Sequence, residues 1–143
     1  MNLLYKSNNW EVVFVSWSQE FIGDCIISSK NKKKFLSDLT NEEWIELGII
    51  EKELERVCKK LFNAKMFNFA CLMNNAYRDN ESPQVHFHFV PRYAEDVELF
   101  GKKYKDIHFG YNFWKWENNE ENKQKDIFTK EKKINYLKWW KRS

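Results

Sequence analysis

Histidine is scarce in this chain of 143 residues, which has only three, alongside four glycines, two prolines and three cysteines. So few glycines leave no room for a GxGxxG fingerprint or a Walker loop, and neither motif is present, which excludes those two ways of cradling phosphate. Cys25, Cys58 and Cys71 are few, odd in number and widely spaced, so a disulfide scaffold is excluded. No CxxC pair or Cys/His cluster at zinc spacing occurs, and no structural metal is expected. No run approaches the roughly 18 apolar residues that cross a bilayer. The first ten residues lack the apolar core of a signal peptide. Together with reduced-looking cysteines, these absences lead us to expect a cytoplasmic protein that does not bind a membrane.

What is present in excess is aromatic: seven Trp, six Tyr and twelve Phe, or 17% of the chain. That is no disordered composition, and the length suits one domain with a core of its own. The net charge of +3 is unevenly spread. Residues 102–143 hold 12 basic and 6 acidic side chains, hence +6, and the preceding 101 residues hold 12 and 15, hence −3.

Glu11 to Trp17 is β-branched and aromatic and reads as a strand, and Gly23 to Ser28 as a second. Lys30 to Lys34 is a basic loop, read as a solvated turn. Leu39-Thr-Asn-Glu-Glu-Trp44 then announces a helix. Thr40 at the N-cap and Glu43 three residues on form a capping box, with Leu39 and Trp44 at the staple positions. Trp44, Leu47, Ile50, Leu54, Val57 and Leu61 follow at helical steps, so one face is apolar over about 20 residues and Trp44 is assigned to the core. Lys65 to Met73 reads as a strand buried on both faces for much of its length. Asn74 to Pro83 has no helical pattern and reads as a loop. Gln84 to Val90 alternates strictly, with Pro91 expected to end it. The order of elements implies an α+β fold with an antiparallel sheet of about five strands and one long helix. Beyond it, Phe100 to Trp116 is aromatic-rich, 117–125 is polar, and Ile127 to Trp140 recovers helical spacing. We therefore divide the chain into a domain over 1–116 and a C-terminal extension over 117–143, a polar loop and a short amphipathic helix packed on the domain or extending it.

The alternation of Gln84 to Val90 carries the chemistry. Successive strand side chains face opposite sides, so Gln84, His86 and His88 share one face while Val85, Phe87 and Phe89 share the other. A neutral imidazole can attack an electrophilic phosphorus, and a neighbouring donor can hold the developing charge. A rigid strand supplies the positioning that nucleotidyl transfer needs. Metal binding by His86 and His88 would need a third ligand such as His108, which the spacing does not place.

Pro83-Gln-Val-His-Phe-His-Phe-Val-Pro-Arg-Tyr93 resembles the motif of the histidine-triad (HIT) family, His-x-His-x-His followed by two apolar residues and often Pro-Arg. The family's other marks occur in order: Gly23, Lys30, Leu39-Thr-Asn-Glu-Glu43 and Asn74-Asn75. Phe100 to Tyr111 is similar to the segment that follows the triad in bacterial members resembling dinucleoside polyphosphate hydrolases. The likeness runs from Val12 to Tyr111. Its departures are Gln84 at the first triad position, Asp24 where the glycine is usually followed by His, and Lys32 near the place of a histidine.

The resemblance implies a nucleotide hydrolase or nucleotidyl transferase that cleaves a phosphoanhydride or phosphoramidate at the α-phosphate, for example in dinucleoside polyphosphates. His86 would be the nucleophile forming a nucleotidyl-histidine, His88 would hold the phosphate, and Gln84 would be an altered supporting position with no proton to give. Asn74 matches the family's amide residue, with Asn75 as the alternative, and Ser82 is a phosphate candidate. Ser16 and Trp17 fall where family members line the nucleoside pocket. Arg92 suits either a phosphate or a structural ion pair. The resemblance implies a homodimer and no required cofactor, though a divalent cation can accompany a polyphosphate substrate. Two alternatives stand beside it: a catalytically weak nucleotide-binding module, motivated by Gln84, and nucleic-acid binding by the basic tail bearing Trp114, Trp116, Trp139 and Trp140. The second is disfavoured against tryptophans that cover the sheet end or a dimer contact.

Overall fold

The computed structural model describes residues 2–16, 19 and 21–112. Trp17 and residues 113–143, which include Trp114, Trp116, Trp139 and Trp140 and the whole C-terminal extension, lie outside the described residues. The elements are β1 (Leu3–Lys6), β2 (Trp10–Phe14), β3 (Cys25–Ser29), α1 (Asn41–Phe62), β4 (Met66–Ala70), α2 (Asn74–Arg78), β5 (His86–Arg92), β6 (Val97–Leu99) and β7 (Lys102–Tyr104). Five strands form an antiparallel sheet in the order β1-β2-β3-β5-β4, and β6 and β7 form a separate ribbon. The expected α+β architecture is therefore present.

Helix α1 begins where its capping box predicts. Thr40 Oγ1 accepts from the Glu43 N–H at 3.1 Å, and Glu43 Oε1 accepts from the Thr40 N–H at 3.3 Å. Leu47, Ile50, Leu54 and Val57 are buried against one sheet face, with Cys58 and Phe62 added to the stripe. Trp44 is a correction. It is 42% exposed, because at the helix margin only one edge of the indole meets the core, at 6.5 Å from the Phe87 ring centre.

Other boundaries also move. β5 runs through Pro91 to Arg92 instead of stopping at Val90. Pro91 is tolerated because β3 pairs with β5 only as far as Phe89, so the missing N–H falls where β5 has a single neighbour, β4. β4 is shorter than expected, and every residue of it is half-buried, because among the described residues it is an edge strand paired with β5 alone. Asn74 to Arg78 forms one short helix inside the expected loop, too brief to show a period. β1 and the β6–β7 ribbon are new. The ribbon turns on Phe100 and Gly101, both at positive φ (52° and 75°), as a two-residue hairpin requires. At Gly23, φ is +90° and a Cβ would come within 3.1 Å of Pro91 Cγ, so the turn into β3 needs glycine.

Candidate active site on strand β5

Strand alternation and cross-strand register build the site. Val85, Phe87 and Phe89 are buried on the α1 side, while His86 and His88 are half-buried on the opposite face. β3 and β4 flank them: Ser28 lies opposite His86, and Ile26 and Ala70 lie opposite His88. The two imidazoles meet edge to face with centroids 5.4 Å apart.

His86 Nδ1 lies 2.8 Å from the Gln84 main-chain oxygen. A carbonyl can only accept, so Nδ1 carries the hydrogen, and in the neutral ring Nε2 holds the free lone pair. Gln84 is anchored in turn, its Nε2 donating to the Ser29 carbonyl at 2.6 Å. His88 is pushed down to about 4, first by burial and second by the nearby His86, so it is an uncharged imidazole at neutral pH. Cys71, where β4 leaves the sheet, has its thiol pushed up by burial, against an opposing hydrogen bond from the His86 main chain.

Farther along the same face, β5 changes character. Arg92 is fully buried and makes a bidentate pair with Asp106, Nε to Oδ2 at 2.7 Å and Nη2 to Oδ1 at 3.1 Å. It also donates to Asn68 Oδ1 and to the carbonyls of His108 and Tyr111, and stacks on Phe21. Of the two roles open to Arg92, this is the structural ion pair. It fastens the segment after β7 over the Val90 end of the sheet.

The expected site residues thus divide. Gln84, His86 and His88 are brought together. Asn74, Asn75 and Ser82 are exposed near the same sheet end, in and after α2, and none has a described contact with either histidine. Ser16 follows β2 at the opposite end, next to Val15, whose N–H donates to the Asp24 carbonyl at 3.1 Å. Trp17 lies outside the described residues. The sequence reading missed Ser29 and Cys71. Ser29 is tied to Gln84 only by strand register across 55 residues, a pairing no local pattern announces. Among the described residues no group of three or more His, Cys, Asp or Glu is placed to hold a metal ion. None of their helices is long and apolar enough to cross a membrane.

No family model matches the chain. A curated relative, the nitrilase and fragile histidine triad fusion protein NitFhit of Caenorhabditis elegans, is 28% identical over 93 residues, covering 65% of this chain and 21% of that protein. The chain thus spans about a fifth of that relative's length. Among solved structures, a hypothetical histidine triad nucleotide-binding protein of Sulfolobus tokodaii superposes with a TM-score of 0.66 at 13% identity, over 99% of this chain and 81% of that one. Plasmodium falciparum diadenosine triphosphate hydrolase gives 0.54 at 21% identity, over 68% of this chain and 65% of that one. With a five-stranded sheet and one long helix among its described residues, the chain carries the α+β fold of the histidine-triad proteins.

Proposed function

We propose that this chain is a histidine-triad-type nucleotide hydrolase or nucleotidyl transferase acting at an α-phosphate through His86. The observation that carries the reading is the 2.8 Å contact between His86 Nδ1 and the Gln84 carbonyl, which leaves Nε2 as a fixed lone pair on the sheet face turned away from α1. That lone pair attacks the α-phosphorus. The bond to the bridging oxygen or nitrogen breaks, and its electron pair departs with the leaving group. Water then attacks the nucleotidyl-histidine and the P–N bond breaks, returning its pair to Nε2. The water proton passes to solvent, and a nucleoside monophosphate is released. His88, uncharged, donates one N–H to the phosphate, and Asn74 or Asn75 and Ser82 complete the binding side. The fusion-protein relative and the diadenosine triphosphate hydrolase fold support nucleotides as the substrate class. The free thiols suit a cytoplasmic setting, and the position of β4 at a sheet edge among the described residues suits a homodimer.

The test is a screen of dinucleoside polyphosphates and nucleoside phosphoramidates, with mass spectrometry of the protein quenched during turnover. A nucleotide adduct on His86 is expected. His86→Asn is expected to remove turnover by about a thousandfold or more while leaving folding and nucleotide binding in place. Turnover that survives His86→Asn overturns the reading. A second reading, nucleotide binding with weak or no turnover, rests on Gln84 alone.

A further inference from the structure

The basic loop between β3 and α1, expected as a solvated turn, is not one: Lys33 ties it in two directions. The Lys33 carbonyl accepts from the Val85 N–H at 2.7 Å, one residue before His86. Lys33 Nζ lies 3.6 Å from Glu43 Oε1, on a side chain only 3% exposed. The other Glu43 oxygen is buried without a hydrogen-bond partner, and among the described residues Lys33 is the carboxylate's only ion-pair partner. A buried carboxylate holds its one counter-charge closely, because losing it would leave the charge uncompensated. Glu43 is itself fixed by the capping box at the start of α1. The helix end thus clamps Lys33, and Lys33 clamps Val85.

The tie at Val85 alters the sheet beside the histidines. In a hydrogen-bonded antiparallel pair, the two facing residues exchange both of their N–H···O bonds. The register of β3 on β5, carried one residue past Ser28 and His86, sets Ser29 opposite Val85. Only one rung is made there, from the Ser29 N–H to the Val85 carbonyl at 3.0 Å, because the Val85 N–H has gone to Lys33. The Ser29 carbonyl left over accepts from Gln84 Nε2 at 2.6 Å, and the Gln84 carbonyl in turn meets His86 Nδ1 at 2.8 Å. Two donors, the Val85 N–H and the Gln84 amide, compete for one carbonyl. The loop settles the contest by drawing the first away.

We infer that the Lys33–Glu43 pair positions the nucleophile: by diverting the Val85 N–H it reserves the Ser29 carbonyl for Gln84, whose own carbonyl then keeps the His86 hydrogen on Nδ1. Lys33 and Glu43 are positioning residues, tied to α1 and with no described contact to the imidazole. Their role rests on the proposed attack by His86. With the pair cut, Val85 returns to Ser29 as an ordinary rung and displaces the Gln84 amide. The imidazole is then divided between its two tautomers, and only the one with a bare Nε2 can attack.

The experiment reads the His86 tautomer by isotope-labelled NMR of its ring nitrogens, assigned through their loss in His86→Asn. Steady-state hydrolysis of a dinucleoside triphosphate is measured in parallel, with thermal melting as the folding control. The main variant is Lys33→Met/Glu43→Gln, which removes both charges, strands neither, and leaves a glutamine able to serve the capping box. Wild type and Lys33→Arg are expected to show one tautomer, with the hydrogen on Nδ1. The double variant is expected to show both, with kcat lowered about tenfold and KM nearly unchanged. Glu43→Gln alone, which buries no charge, should shift both readings the same way by less. Gln84→Met should match the double variant, and combining the two should lower kcat no further, since both cut one chain of contacts. An unchanged tautomer in the folded double variant overturns the inference and leaves His86 chemistry standing, and so do losses that multiply on combination. A divided tautomer with turnover intact overturns the attack by His86 itself.

Discussion

At the scale of single residues, the site turns on which atoms carry protons. His86 has its tautomer set by a main-chain oxygen, and Gln84, anchored on Ser29, keeps that oxygen in place. Gln84→His adds a titratable group where the site has none. It is expected to raise phosphoramidate turnover by about tenfold and to affect phosphate-chain substrates less, as read in parallel steady-state assays. No gain on either substrate would mark the pocket as a binding site alone. His88 gives a pH signature. Its folded value of about 4 lies below its ordinary 6.5, so the unfolded chain takes up this proton first as pH falls. The associated stability is complete above pH 6.5 and is lost as pH falls through about 4. Urea unfolding at pH 7, 5.5 and 4 should show this decline, and His88→Asn should flatten it; an equal decline in the variant would assign it to other groups.

At the scale of elements, β5 is divided between two jobs. Its first half exposes the histidines, and its last residue, Arg92, locks the chain after β7 onto the sheet. Removing one member of a buried ion pair strands the other, so Asp106→Ala should cost about 3–5 kcal/mol in urea unfolding, and Arg92→Lys should not be neutral, because an ammonium cannot reproduce the planar fork. A loss below about 1 kcal/mol would show the pair to be dispensable. Legibility also varied by element. α1 could be read because a capping box and a long apolar stripe point to the same span. The histidine face could be read because alternation is local. β1, α2 and the β6–β7 ribbon escaped because each is three to five residues long and owes its existence to a partner or a turn. Trp44 was misassigned since periodicity gives a direction around the helix, not the width of the sheet beneath it. The Gln84–Ser29 bond is a fact of register, which a strand does not carry in its own residues.

At the scale of the whole molecule, β4 is one of the two edges of the five-stranded sheet. Among the described residues β4 pairs with β5 alone, and Phe67 and Phe69 stack on Phe89 and Phe87 just inside it, with centroids 5.3 and 4.7 Å apart. If two copies join there, sedimentation should report twice the 17.5 kDa of one chain. Met66→Lys, a charge on the edge strand, should then weaken the dimer by about tenfold. A monomer at all concentrations would rule that pairing out. The strand order has a temporal meaning as well. β1, β2 and β3 form a meander from neighbouring segments, whereas β4 gains no partner until β5, made later, slips between it and β3. A chain halted before residue 86 therefore exposes two orphan strand edges at once, the state most open to aberrant pairing. The strand that closes both edges is the one that bears the histidines. If the proposed chemistry resides on His86, completing the sheet and acquiring that chemistry are one event in the life of this chain.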